Sequence, residues 1–171
     1  MVINITVPLL QKVKEKLIKF FGFDFPTPVI LRSSEPYRGY YMHGAIVIGS
    51  FEDEEDEERV LIHEMAHYVQ DIYCKPKFPW FKALIEIVPL ALGFLKRGKL
   101  LDYLRFTEGF ATWVEEEILG ERGKQYWLSL PRYYRVVYYE GAQFFRKMGK
   151  INAIRYALEE SEFCKKRKNI N

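Results

Sequence analysis

The stretch His63-Glu64-Met65-Ala66-His67 constrains this chain more than any other. On a helix the two histidines stand one turn apart and present their imidazoles from one face. That spacing lets two nitrogens share one tetrahedral zinc, with ligand distances near ~2 Å. Glu64 lies about a third of a turn round from His63, awkward for ligation but well placed to take a proton from a water at the metal. The competing reading is an amphipathic helix with two solvent-facing histidines and no metal. The surroundings favour the metal, because Val60, Leu61, Met65, Ala66 and Val69 give the helix an apolar flank to hold against a sheet.

Seven consecutive acids, at 52–58, announce this helix and suit the positive end of its macrodipole. They lack the glycine and ligand spacing of a calcium loop, so a solvated helix start is expected. Lys75-Pro76 closes the helix. Upstream, 2–7 reads as an opening strand. Pro8, then Leu9, Leu10, Val13, Leu17 and Phe20 or Phe21 at helical spacing, predict a helix stopped by Gly22. Strands are expected at 29–31, 37–42 and 45–48, the last two joined by a tight turn at His43-Gly44. Downstream, a helix is expected over 101–119 with Gly120 as its stop, and two more over 132–148 and 151–160, hinged at Gly149. No repeat or linker interrupts the 171 residues, so one α+β domain is expected, with a small sheet before a mainly helical half. Its core covers about 27–160, with a hydrophobic insertion at about 76–100.

A zinc needs a third protein ligand, and the chain has only three histidines. His43 falls in the hairpin turn and is a lesser candidate for the cleft rim. Tyr73 occupies the position six residues after His67 where a longer histidine motif would end, and Gln70 stands in place of that motif's glycine. A carboxylate must therefore complete the site, leaving one position open for water. Glu108, in Thr107-Glu108-Gly109-Phe110-Ala111, is the best candidate. A glutamate on an apolar helical face is costly unless paired or metal-bound, and the glycine beside it permits close helix approach. Glu115, Glu116 and Glu117 read as ordinary exposed charge.

The combination of His63-Glu64-x-x-His67 with Glu108-Gly109-Phe110-Ala111 resembles the gluzincin zinc metallopeptidases, including the catalytic core of the aminopeptidase N family. By size and motif order the chain is most similar to the compact gluzincins sometimes called minigluzincins. The likeness implies a zincin-like, thermolysin-type α+β fold with Zn2+ held by His63, His67 and Glu108. It also implies peptide hydrolysis by a metal-activated water with Glu64 as general base. Tyr138-Tyr139-Glu140-Gly141-Ala142 resembles a Tyr-x-x-Gly-Ala segment whose tyrosine stabilises the oxyanion, which implies that role for Tyr138 and leaves Tyr139 as the other choice. Two departures stand out. Thermolysin-like members carry an aspartate four residues after the ligand glutamate to orient the first histidine, and Thr112 occupies that position here. The acidic stretch that grips a free amine in aminopeptidases is replaced by Gly44-Ala45-Ile46-Val47-Ile48, so an endopeptidase is expected, with an extended peptide or protein substrate laid along that strand.

Lys+Arg 26 against Asp+Glu 23 is near balance, which gives no electrostatic reason to expect a nucleic-acid partner. The basic tail Lys165-Lys166-Arg167-Lys168 reads as a solvated end. The apolar stretch 78–95, broken by Lys82, Glu86 and Pro89, is too short to span a bilayer of ~30 Å and reads as a core or cleft-roof helix, with an interfacial membrane contact the minor alternative. Cys74 and Cys164 show no metal-knuckle spacing and are expected as free thiols in a reduced, cytoplasmic compartment, an expectation joined by the lack of a recognisable export leader. A transcription-linked metallopeptidase type is disfavoured because no helix-turn-helix is recognisable. A non-catalytic or latent metal-stabilised interaction module is the main alternative, and the intact Glu64 argues against it. Oligomeric state is not legible from the sequence.

Overall fold

The structure, a computed structural model, describes residues 7–36, 39–42, 44–76 and 98–164. The expected opening strand, His43, the apolar stretch 78–95 and the basic tail lie outside these residues, except that Val7 begins a helix.

Helix α1, Val7–Phe21, follows the apolar spacing of the sequence. Leu9, Val13, Leu17, Phe20 and Phe21 are buried, and Gly22 ends the helix at φ +82°, a conformation that costs a Cβ-bearing residue. Three strands follow: β1, Val29–Pro36, β2, Gly39–Met42, and β3, Ala45–Ser50. They form one mixed sheet in the order β1-β3-β2, with β3 parallel to β1 and antiparallel to β2. The central strand is the one whose apolar residues run without alternation, and Ile46, Val47 and Ile48 are all buried. β2 instead alternates half-buried and exposed residues, the pattern of an edge.

Helix α2, Glu54–Tyr73, carries the two histidines. Asp53 caps it, its side chain accepting from the Glu55 N–H at 2.9 Å. Leu61, Ile62, Met65, Ala66 and Val69 have no exposed surface. Burying each of the larger of these side chains stabilises the fold by roughly 1.5–3 kcal/mol. After 76 the described chain resumes at Gly98 and enters α3, Lys99–Leu119, ended by Gly120 at φ +69°. A short helix follows, α4, Glu121–Ser129, where no helix is expected from the sequence. The next helical rod starts as α5, Arg132–Tyr134, passes through a π turn, Arg135–Tyr139, and continues as α6, Glu140–Met148. Past Gly149, α7, Lys150–Arg155, leads into a second π turn, Tyr156–Glu160.

One hydrophobic cluster joins α1, the inner face of the sheet, α2, α3 and the C-terminal helices, with Phe110, Trp113 and Phe145 packed ring to ring at its centre. Helices α3 and α6 cross at two glycines. A Cβ on Gly109 would meet the Gly141 carbonyl carbon at 2.5 Å, and one on Gly141 would meet the Arg105 carbonyl oxygen at 2.8 Å. The close approach expected beside Glu108 is therefore real, and its partner is the glycine of the downstream Tyr-x-x-Gly-Ala segment.

Two expectations are corrected. Cys74 and Cys164 are not free thiols: both are buried, their Cα atoms are 4.6 Å apart and they are bonded to each other. Packing of the segment after the second π turn beside the last turn of α2 brings together two residues 90 apart, which no local spacing could announce. The reduced-compartment reading rested on unpaired thiols and loses that support. The strand at 45–48 does not offer a docking edge, because β3 lies between β1 and β2 and spends its main-chain groups on both. Among the described residues, no helix is long and apolar enough to cross a membrane.

Candidate metal centre

Helix α2 delivers His63 and His67 from adjacent turns, their ring centroids 5.0 Å apart. Helix α3 crosses over them and lowers Glu108 between the two rings. Its Oε2 lies 3.4 Å from His63 Nε2 and 3.2 Å from His67 Nε2. A ligand atom from each of the three residues falls within 4.8 Å of the others. Tetrahedral ligands at ~2.0–2.1 Å from a zinc are themselves ~3.3 Å apart, so these two separations fit the edges of such a sphere. Donor chemistry agrees, since two imidazoles and one carboxylate are a catalytic zinc set that leaves a fourth position open.

The charges of the site act strongly on one another. Burial alone would lower His63, but Glu108, Glu115 and Glu64 outweigh it and raise its pKa from 6.5 to about 10. Burial alone would raise Glu108, and the two imidazoles reverse this, holding it well below the usual carboxylate range. Glu64 is buried and its pKa is raised, with burial the largest cause and the two histidines opposing it. The Tyr41 backbone N–H donates to the Glu64 carboxylate, so the edge of β2 that does not pair with β3 faces this residue. Gly39 permits the approach: a Cβ there would meet Val60 Cγ1 at 2.2 Å and Glu64 Cγ at 3.3 Å. The Tyr41 hydroxyl fastens the same strand to α2, donating to Asp71 Oδ2 at 2.5 Å and accepting from the Gly44 N–H at 2.8 Å.

The group that orients His63 differs from expectation. Thr112 is fully buried, and its hydroxyl makes no hydrogen bond to the ring. Glu115, read as exposed charge, has no exposed surface, and its Oε2 sits 3.1 Å from His63 Nδ1. With Nδ1–H donating there, Nε2 is left to face Glu108 and His67. Seven residues, two helical turns, separate Glu108 from Glu115, so both project from the same face of α3. That spacing was the available signal. Glu116 is buried too, paired with Arg146, while Glu117 alone of the three is exposed.

The π turn brings Tyr138 to the centre. Its ring stacks on Trp127 of α4 at 4.5 Å and 8°, and lies 6.0 Å from the His63 ring. Trp127 itself is 5.4 Å from His63, so α4 walls the buried side of the site. Sequence reasoning missed Trp127, because Gly120 and Gly123 obscure the helical pattern around it. His43 lies outside the described residues.

No family model, curated protein or solved structure matches the chain. The architecture is α+β and zincin-like, a small mixed sheet followed by a largely helical region around a His-His-Glu cluster, and the set His63, Glu64, His67 and Glu108 matches the gluzincin zinc-peptidase signature.

Proposed function

We propose that this chain is a zinc-dependent peptidase that cleaves internal peptide bonds. The reading rests on one observation above all: a single carboxylate oxygen of Glu108 lies within 3.4 Å of both histidine Nε2 atoms, with Glu64 next to His63 on the same helix. Zinc, when bound by His63, His67 and Glu108, supplies a Lewis acid that polarises the scissile carbonyl and eases proton loss from water. Glu64 takes that proton and returns it to the leaving nitrogen. Its raised pKa suits a group that must both accept and give. Tyr138, rather than Tyr139, is the candidate to donate its O–H to the oxyanion, supported by the 6.0 Å approach of its ring to His63. The substrate lies extended beside β2, the strand that abuts Glu64, in place of β3.

Replacing Glu64 with Gln keeps size and polarity but removes the proton acceptor. Zinc uptake should persist while peptide hydrolysis falls by at least ~10². Hydrolysis equal to the parent's would remove Glu64 from the mechanism. A parent chain that takes up no zinc at neutral pH in equilibrium dialysis would remove the metal reading altogether.

A further inference from the structure

Arg59 and His63 are one turn apart on α2 and share a face. Glu115 reaches across from α3 toward both, its Oε2 hydrogen-bonded to His63 Nδ1 at 3.1 Å and its buried Oε1, which has no hydrogen bond, forming an ion pair with Arg59 Nη1 at 3.6 Å. Glu115 is wholly buried, and a buried carboxylate without a counter-charge is strongly unfavourable. Arg59 supplies a permanent one and is itself only 7% exposed. Two further contacts place the guanidinium: its carbon lies 3.6 Å from the centre of the Tyr126 ring of α4, and Asp56 Oδ1 forms an ion pair with its Nε at 3.7 Å without a hydrogen bond. Tyr126 thus braces Arg59 while its neighbour Trp127 lies against the His63 ring. A planar guanidinium can stack on a ring and still point one nitrogen at a carboxylate, which an ammonium cannot reproduce.

We infer that Arg59 is a positioning residue for the metal centre, acting on His63 through Glu115. It fixes one oxygen of Glu115 so that the other accepts from Nδ1–H, and the imidazole is thereby held with Nε2 toward Glu108 and His67. The inference rests on the zinc reading above. It extends that reading to a residue that contacts neither zinc nor substrate.

The test is zinc affinity, measured by competition with a chromophoric chelator, together with the visible absorption of the cobalt(II)-loaded protein. Arg59→Met and Arg59→Gln are compared with the parent, Glu115→Gln and the double variant R59M/E115Q, with thermal unfolding confirming that each is folded. Either Arg59 variant should weaken zinc about tenfold, the scale of losing a group that supports a ligand, and should alter the cobalt bands. Having both variants keeps the test open if one fails to fold. Arg59→Lys, which keeps charge but loses the stacked plane, should recover part of the affinity. The double variant should bind no more weakly than E115Q alone, because Arg59 acts only through Glu115. Folded Arg59 variants with the parent's affinity and cobalt spectrum would overturn the inference and leave the zinc reading standing, as would losses in the double variant that add in full. A parent that binds no zinc would overturn both.

Discussion

Two acidic runs, 52–58 at the start of α2 and 115–117 near the end of α3, look alike in the sequence and meet opposite fates. The first opens a helix at the surface. Asp53 caps it, Glu54 is largely exposed, Glu57 turns inward to Arg32 of β1, and the last acid, Glu58, is buried against Lys12 and Lys16 of α1. The second lies where α3 passes over α2. There Glu115 supports a histidine, Glu116 is buried against Arg146, and only Glu117 faces water. Burial pushes Glu116 up to about 7 despite the opposing Arg146. Net charge density is the same kind of signal in both places. What differs is how much of each run sinks: a helix start leaves most of its carboxylates in water, whereas a helix crossing must give each buried one a partner.

Glu115→Gln is the sharpest way to break this contrast. It should weaken zinc by about tenfold to a hundredfold in a chelator competition, while Glu117→Gln, two residues on, should change nothing measurable. Equal effects at both would reduce Glu115 to a source of general field.

The pH dependence of the metal-free protein comes next. His63 has a folded pKa of about 10 against 6.5 for the free side chain. Its contribution to stability is therefore complete below 6.5 and lost as pH rises through about 10. The thermal midpoint of the metal-free protein should fall over that window, and zinc binding at pH 7 should release a proton, seen by calorimetry in buffers of different ionisation enthalpy. In Glu115→Gln both effects should shrink, since Glu115 is one of the carboxylates that raise His63.

The surface run should give the smallest effects. Glu58→Gln loses two lysine partners that remain partly solvated, and should cost about 1 kcal/mol of stability by denaturant unfolding without touching zinc affinity. Glu54→Gln, with its side chain 72% exposed and a partner 3.6 Å away, should stay within about 0.5 kcal/mol of the parent. A larger loss at Glu54 than at Glu58 would mean that depth is not what separates the charges of this run.

Much of the site was legible because helices convert spacing into geometry. Two histidines four apart share a face whatever surrounds them, and a chain with no histidine after His67 must finish a zinc site with a carboxylate or with His43. Gly109 marked a close crossing, though not what it would cross. The apolar continuity of 45–48 predicts a strand, and it is also the mark of a strand buried in the middle of its sheet with both edges paired.

The sequence by itself placed His63 and His67 on one helical face, Glu64 beside them and Glu108 as the candidate to join them, since these follow from the helical repeat and from counting donors. The tertiary structure decided which charges are buried, which strand forms an edge, and that two cysteines 90 residues apart meet. Those outcomes depend on how helices and strands far apart in the chain pack against one another. The repeat along a helix gives the direction in which Glu115 projects, and only the crossing of α2 and α3 puts His63 and Arg59 in its way.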